Sequence, residues 1–346
     1  MLQEAGAFTA SFDSQVETLY HPLTYLCEHE LHDTSTVLLL DRNVFTRIVG
    51  AVRGDKLNDQ HRLAAAVMVF ALCTGAQIEP SLALYEVAHQ QGNDVARGEL
   101  SLFRRADNSS PEYWTDVALG RIAGSAPLLE APRKPRRERK VDFELPLRTW
   151  RRNYVLCLKL AELALQQGRA ETRLRQFIRW AHSDFVLGAA GIALAIHFLA
   201  PNARRAGLLK GLFAADREKA IKGVRNAAWD CTLVSHFISA ISSQQADNCL
   251  SLLVSFDSSV HAVLRTITET TSDVMPISDA LEANLSRLWT NPTVSRRLAS
   301  ELRSLYDTID NPDRVVNKTD LGPSIDELIE QGEARVWTPQ DLRWDV

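Results

Sequence analysis

The sequence lacks the features that would assign a common function at once. Its 346 residues include only five cysteines, none in a CxxC pair or near a histidine at the spacing of zinc ligands. Widely separated thiols of this kind fit reduced cysteines in a cytoplasm. The motifs GxSxG, GxGxxG and GxxxxGK[ST] are absent, and so are HxxxH pairs. The hydrolase-triad, dinucleotide-binding and P-loop classes therefore lose their main support.

An excess of charge of one sign and a long apolar run are also missing. The net charge is -4 and the pI is near 6.2, so contact with nucleic acid or an anionic membrane would have to be local. The strongest membrane candidate, FVLGAAGIALAIHFLA (residues 185–200), is shorter than the roughly 20 residues that a spanning helix needs. We interpret it as a buried helix and expect a cytoplasmic protein with no membrane partner.

What the sequence does contain is an ordinary globular composition with a distinctive order of segments. Hydrophobic residues make up 45% of the chain and charged residues 24%, which is enough to bury a large core in two or three domains. Residues 36–40 and 249–254 are short apolar runs that predict strands. Residues 148–223 have apolar residues at helical spacing and no strand pattern. This order predicts a small sheet interrupted by a large helical block.

Four acidic residues are notable for their apolar surroundings. Asp41 and Asp257 follow the two predicted strands, at the end where open α/β sheets place ligands. Glu86 and Asp230 lie in apolar helical turns. A buried carboxylate is costly unless it is paired, hydrogen-bonded or bound to a cation. Mg²⁺ and Mn²⁺ prefer carboxylate oxygens and water, so these acids would suit such an ion if the fold brought them together.

Each acid also has a structural interpretation. Asp41 alone is a strand-end turn or cap residue, and Asp257 alone caps the next helix equally well. Glu86 or Asp230 alone is a helix-surface or cap residue. Glu79, in the turn before the helix of Glu86, is a rival for the second acid, although its position favours a capping role. Both interpretations stay open on these patterns alone.

Three of these segments resemble motifs of PIN-domain nucleases. The segment LLLDRNV resembles the LDxNV opening of the family, with Asp41 at the end of the first strand and Asn43 near it. The segment IEPSLALYEVA resembles the helix with the second acid, which would be Glu86. The segment NAAWDCTLVSHF resembles the helix with the third acid, which would be Asp230.

A fourth segment, LLVSFDSSVHAVL, resembles the family's strand ending in TxD, with Ser255 where Thr is usual. The resemblance covers residues 33–92 and 224–277 and implies Mg²⁺- or Mn²⁺-dependent hydrolysis of phosphodiester bonds, with RNA favoured over DNA. It implies a catalytic and metal-binding set of four acids with two supporting residues: Asp41, Glu86, Asp230 and Asp257, supported by Asn43 and Ser255.

The fold implied by the resemblance is an α/β/α sandwich on a parallel sheet, with a large all-α insertion and a helical C-terminal extension. The expected segments are an N-terminal extension that is partly helical (1–32), the first part of the core (33–92), a linker and helical insertion (93–223), the second part of the core (224–277) and the C-terminal extension (278–346). The insertion must leave and re-enter the core, because it separates Glu86 from Asp230.

A basic run, APRKPRRERK (residues 131–140), lies in the expected linker. Its cations could follow a phosphate backbone, but a solvated linker explains the run at least as well. The residues assigned to nucleic-acid contact are Arg133, Arg136, Arg137 and Lys140. The expected partners are nucleic acid, a protein such as an antitoxin, and a second copy of the chain.

Two other functions are compatible with the sequence. A PIN-like fold without catalysis would use the acids structurally and bind a protein or RNA partner through its helices. A helical interaction scaffold would carry the strands as a minor feature. The histidines His197 and His261 lie on apolar helical faces, where a structural role is the simpler interpretation.

Overall fold

A computed structural model describes residues 1–10, 16–122, 141–201, 207–271, 277–308 and 324–338. In these ranges the chain is mostly helical and carries a small sheet of four strands. This agrees with the expected α/β class with a large helical part. The basic residues assigned to nucleic-acid contact, Arg133, Arg136, Arg137 and Lys140, lie outside the described residues.

The elements of the described residues are numbered in chain order. The strands are β1 (Phe8–Ala10), β2 (Ser35–Leu40), β3 (Gln77–Glu79) and β4 (Cys249–Val254). The helices are α1 (Leu2–Ala5), α2 (Val16–Leu19), α3 (Pro22–His32), α4 (Arg42–Arg53), α5 (Asp59–Thr74), α6 (Ser81–Gln91), α7 (Asn93–Asp107), α8 (Pro111–Ala118), α9 (Arg148–Leu165), α10 (Ala170–Ser183), α11 (Ala189–Leu199), α12 (Arg217–Asp247), α13 (Ser258–Thr271), α14 (Ile277–Leu288), α15 (Pro292–Tyr306) and α16 (Ile325–Trp337).

The chain divides into two compact units, each built from two stretches of sequence. The first unit comprises Met1–Pro146 and His236–His261, and it contains all four strands and α1 to α8. The second unit comprises Leu147–Ser235 and Ala262–Val346 and is helical in its described residues. The chain therefore leaves the unit of the sheet after β3 and α8, and it returns within α12.

The sheet has the strand order β1-β4-β2-β3 and is mixed. β2 runs parallel to both β3 and β4, whereas β1 runs antiparallel to β4. The expectation of a parallel sheet is therefore wrong for one strand, and the N-terminal segment, expected to be partly helical, also contributes β1. β1 was not predicted because a strand of three residues is too short to show an alternating pattern in the sequence.

Strand β2 lies between β4 and β3, and its last three residues are buried on both faces, which explains why these three are all leucine. Successive side chains of a strand point to opposite faces, yet Leu38, Leu39 and Leu40 are each no more than 4% exposed. The face with Leu38 and Leu40 packs into a core that includes Phe45 of α4 and Met68 of α5. The buried carboxylate of this part of the unit, Asp41, lies directly after the last residue of β2.

The apolar segment at residues 185–200 contains α11, a helix of 11 residues. Nearly all of its side chains are buried, so the prediction of a buried helix is confirmed. Among the residues that the structure describes, no helix is both long and apolar enough to cross a membrane.

In the second unit, the C-terminal helix α16 packs closely against α9. A Cβ atom placed on Gly332 would lie 2.9 Å from the Cβ of Leu158. Arg217 of α12 donates from its guanidinium to the Val336 carbonyl near the end of α16. The close approach of the two helices therefore depends on the absence of a side chain at residue 332.

Candidate functional site

The parallel pairing of β2 and β4 places Asp41 beside Ser255 at one edge of the sheet. The last residues of the two strands, Leu40 and Val254, are partners in the register, and Asp41 and Ser255 come next along the chain. The backbone N–H of Asp41 donates to the Val254 carbonyl at 2.9 Å. This edge is the carboxyl end of both strands, where open α/β sheets place their ligands.

Two side chains donate hydrogen bonds to the same oxygen of the Asp41 carboxylate. Ser255 Oγ donates to Asp41 Oδ2 at 2.5 Å, and Asn43 Nδ2 donates to the same oxygen at 2.7 Å. Asn43 Oδ1 in turn accepts from the Phe256 backbone N–H at 3.2 Å, and Ser255 Oγ accepts from the Asp257 backbone N–H at 3.0 Å. Asn43 and Ser255 therefore orient the Asp41 carboxylate, and their role beside a metal ion stays a prediction.

Asp41 is 8% exposed, and its surroundings make ionisation costly. Burial raises the pKa of this carboxyl above its ordinary value, and the nearby charge of Asp257 raises it further. The hydrogen bond from Ser255 and the backbone amides of Arg42 and Asn43 act in the opposite direction. A cation beside Asp41 would therefore lower the pKa of this carboxyl and favour its charged form.

Glu86 is a second acid whose pKa is raised, by burial and in part by the charge of Asp41. It lies on α6, where burial and then the charge of Asp41 raise the pKa of Glu86 to about 7. Arg42 and a hydrogen bond from Gln90 Nε2 at 3.0 Å oppose that rise. The guanidinium of Arg42 also donates to the Ala83 carbonyl of α6 at 3.4 Å, so it links α6 to the start of α4. The charge of Asp41 therefore acts on Glu86, and the charge of Asp257 acts on Asp41.

Glu79, the rival for the second acid, has a capping role. It is the last residue of β3, and its Oε1 accepts from the Ser81 backbone N–H at 2.8 Å, at the first residue of α6. Such a bond satisfies one of the amides that the first turn of a helix leaves without a partner. The capping role that its position favoured is what the structure shows.

Asp257 and Asp230 occupy different units. Asp257 precedes α13 in the first unit, and its Oδ1 accepts from the Ser259 backbone N–H at 2.9 Å. Asp230 lies on α12 in the second unit. There the pKa of the Cys157 thiol is raised by a hydrogen bond with Cys231, by burial and by the charge of Asp230. Its place as a fourth metal ligand stays a prediction.

The donor set of the first unit has the chemistry that a hard divalent cation requires. Asp41 of this unit interacts unfavourably with the charges of both Glu86 and Asp257, and a cation beside Asp41 would relieve these two repulsions. In the described ranges, however, no group of three or more His, Cys, Asp or Glu side chains is already gathered at the spacing of metal ligands. The residue types fit Mg²⁺ or Mn²⁺, and the full coordination sphere stays a prediction.

Sequence patterns missed three contributors to this edge. Arg42, next to Asp41, was not singled out as the cation that acts on Glu86. Thr9 was missed together with β1, and His261 was considered only as a structural residue of an apolar helical face. His261 lies four residues after Asp257, one helical turn away, and this spacing is the signal that could have drawn attention to it.

No protein-family model, curated protein or solved structure was found to match this chain.

Proposed function

We propose that this chain is a metal-dependent nuclease with a PIN-like core, which hydrolyses phosphodiester bonds, of RNA in preference to DNA. The observation that carries the proposal is the hydrogen-bonded acid at the carboxyl edge of β2 and β4. Asp41 is buried there, and one of its carboxylate oxygens accepts hydrogen bonds from Asn43 and Ser255. The nearby charge of Asp257 repels this carboxylate. Buried acids in mutual repulsion are a recurrent feature of functional sites.

The residues proposed to hold the cation are Asp41, Glu86 and Asp257, with Asp230 as the further ligand expected from the resemblance. A divalent ion bound there would activate water and neutralise the charge that builds on the phosphodiester during in-line attack. Asn43 and Ser255 keep the Asp41 carboxylate in one orientation, so that it does not have to be reordered when the cation binds. Hydrolysis at this site would need no histidine as a general base, because the bound cation would activate the water.

The experiment is cleavage of end-labelled single-stranded RNA and DNA in Mn²⁺, in Mg²⁺ and in a chelator. We expect metal-dependent RNA cleavage that falls by at least about a hundredfold in Asp41→Asn and Asp257→Asn, because each loses a charge that the cation requires. Glu30→Gln is the matched control, since Glu30 is exposed on α3 and the variant removes the same charge. Cleavage that is unchanged in both aspartate variants would refute the proposal.

Asp230→Asn forms a separate arm of the same experiment. Loss of cleavage comparable with that of Asp41→Asn would support the set of four acids. Full activity in Asp230→Asn, with activity lost in Asp41→Asn, would limit the site to acids of the first unit.

A non-catalytic PIN-like module that binds protein or RNA is the second candidate. The specific observation in its favour is that Asp41 Oδ2 already accepts two side-chain hydrogen bonds, which stabilise a buried carboxylate without a cation. That function predicts RNA or protein binding that neither Mn²⁺ nor the chelator affects, together with no cleavage by the wild-type chain.

A further inference from the structure

The histidine after the last strand joins the N-terminal strand to the proposed metal site. His261 is 5% exposed, and its ring nitrogens have partners on two different elements. Nε2 lies 2.9 Å from the Ser255 carbonyl oxygen, and Nδ1 lies 2.7 Å from Thr9 Oγ1 of β1. A buried imidazole is stable when both nitrogens are satisfied in this way.

These partners define the donor and acceptor roles of the His261 ring in its neutral form. A carbonyl oxygen can only accept, so Nε2 carries the hydrogen and donates it to Ser255. Nδ1 is then the acceptor, and the Thr9 hydroxyl donates to it. The Ser255 carbonyl therefore selects this tautomer, and the Thr9 hydroxyl supports it by donating to Nδ1.

Ser255 is fixed through every polar group it has. It is fully buried, and its backbone N–H donates to the Ala7 carbonyl at 3.1 Å. Its carbonyl is held by His261, and its hydroxyl is shared between Asp41 and the Asp257 backbone N–H. A shift of the Ser255 backbone would therefore move the hydroxyl away from the Asp41 carboxylate.

We propose that Thr9 and His261 are positioning residues, which hold Ser255 so that its hydroxyl orients the Asp41 carboxylate toward a divalent cation. This role rests on the proposed function. It extends the site beyond the four PIN-like segments to β1, so the N-terminal strand is part of the metal site's support. Outer residues that orient a metal ligand typically change metal affinity by about 10- to 100-fold when they are removed.

The test measures Mn²⁺ affinity by electron paramagnetic resonance, and thermal stability on the same samples. Thr9→Val removes the hydroxyl at nearly constant shape, and His261→Leu removes both nitrogens. We expect each variant to bind Mn²⁺ about tenfold more weakly or worse. Thr9→Ser retains a hydroxyl and restores the wild-type affinity to within about threefold.

A matched control exists in the second unit. His197 Nε2 lies 2.7 Å from Thr266 Oγ1, so Thr266→Val removes the same kind of contact from a different histidine, which is half-buried. We expect Thr266→Val to lower the melting temperature about as much as Thr9→Val and to leave Mn²⁺ affinity unchanged. A positioning role predicts this separation of affinity from stability, whereas a purely structural role does not.

The outcomes distinguish this inference from the proposed function. If Asp41→Asn abolishes Mn²⁺ binding while Thr9→Val and His261→Leu bind it like the wild type, the positioning role is wrong and the metal site stands. A wild-type chain that binds no Mn²⁺ refutes the proposed function and this role with it. Equal loss of affinity in Thr9→Val and Thr266→Val would also contradict the positioning role.

Discussion

Replacing Glu86 by Gln should make the metal-free protein more stable at alkaline pH. The pKa of Glu86 is raised from 4.5 to about 7, first by burial and then by the charge of Asp41. A folded-state pKa above the unfolded value means that the native state binds the proton more tightly. The stability associated with this proton is fully present below pH 4.5 and is lost as pH rises through about 7.

The size of the effect follows from the same pKa. A rise of this size, from 4.5 to about 7, corresponds to about 3.4 kcal/mol at 1.36 kcal/mol per pKa unit. Because the side chain keeps some contact with solvent, screening reduces this to about 2 kcal/mol. Glutamine keeps the shape and can still accept the bond from Gln90, so Glu86→Gln should be about 2 kcal/mol more stable than wild type at pH 8.

The assay is hydrogen exchange of the buried amides of β2 and β4 in chelator, with the free energy of opening measured from pH 4 to pH 8. Hydrogen exchange reports the first unit by itself, which matters in a chain of two units. The free energies of opening of wild type and Glu86→Gln should agree at pH 4 and diverge as pH rises through about 7. The control Glu30→Gln should have the wild-type free energy of opening at every pH. Equal stability of Glu86→Gln and wild type at pH 8 would refute the raised pKa of Glu86.

Three further substitutions have defined expectations. Ser255→Ala removes a hydrogen bond to a buried carboxylate, so the opening free energy of β4 should fall by about 1–3 kcal/mol, and unchanged exchange would contradict that contact. Glu79→Ala should lower stability by about 1 kcal/mol through loss of the cap at α6 and leave Mn²⁺ affinity unchanged; a large loss of affinity would make Glu79 a ligand. Gly332→Ala should cost about 1–3 kcal/mol because of the contact with Leu158, and a melting temperature equal to wild type would show that α16 and α9 can separate at no cost.

The sequence was sufficient to predict the parts of the site that depend on adjacent residues. An apolar run that ends on Asp41, with Asn43 two residues later, predicts both the strand and the acid at its end. The second run predicts β4 in the same way, with Ser255 directly after the strand. These predictions succeed because a strand buried on both faces has a continuous apolar sequence and ends where polar residues begin.

The parts that depend on distant pairing could not be predicted in this way. β1 is only three residues long, and its pairing with β4 joins residues that are far apart in sequence, so no local period marks it. The contact of His261 with Thr9 depends on that pairing. Asp230 shows a different limit, because the apolar turns around it predict a packed helix but do not indicate that this part of α12 belongs to the second unit.

The most direct test of the proposed function is a crystal structure with Mn²⁺ soaked in, with the ion located by its anomalous scattering. The account predicts one ion at the carboxyl edge of β2 and β4, with carboxylate oxygens of Asp41 and Asp257 at about 2.0–2.6 Å from it and Glu86 bound directly or through water. An edge that holds no Mn²⁺ at millimolar concentration, with Asp41 still bound only by Asn43 and Ser255, would contradict the proposal that this site is a metal centre.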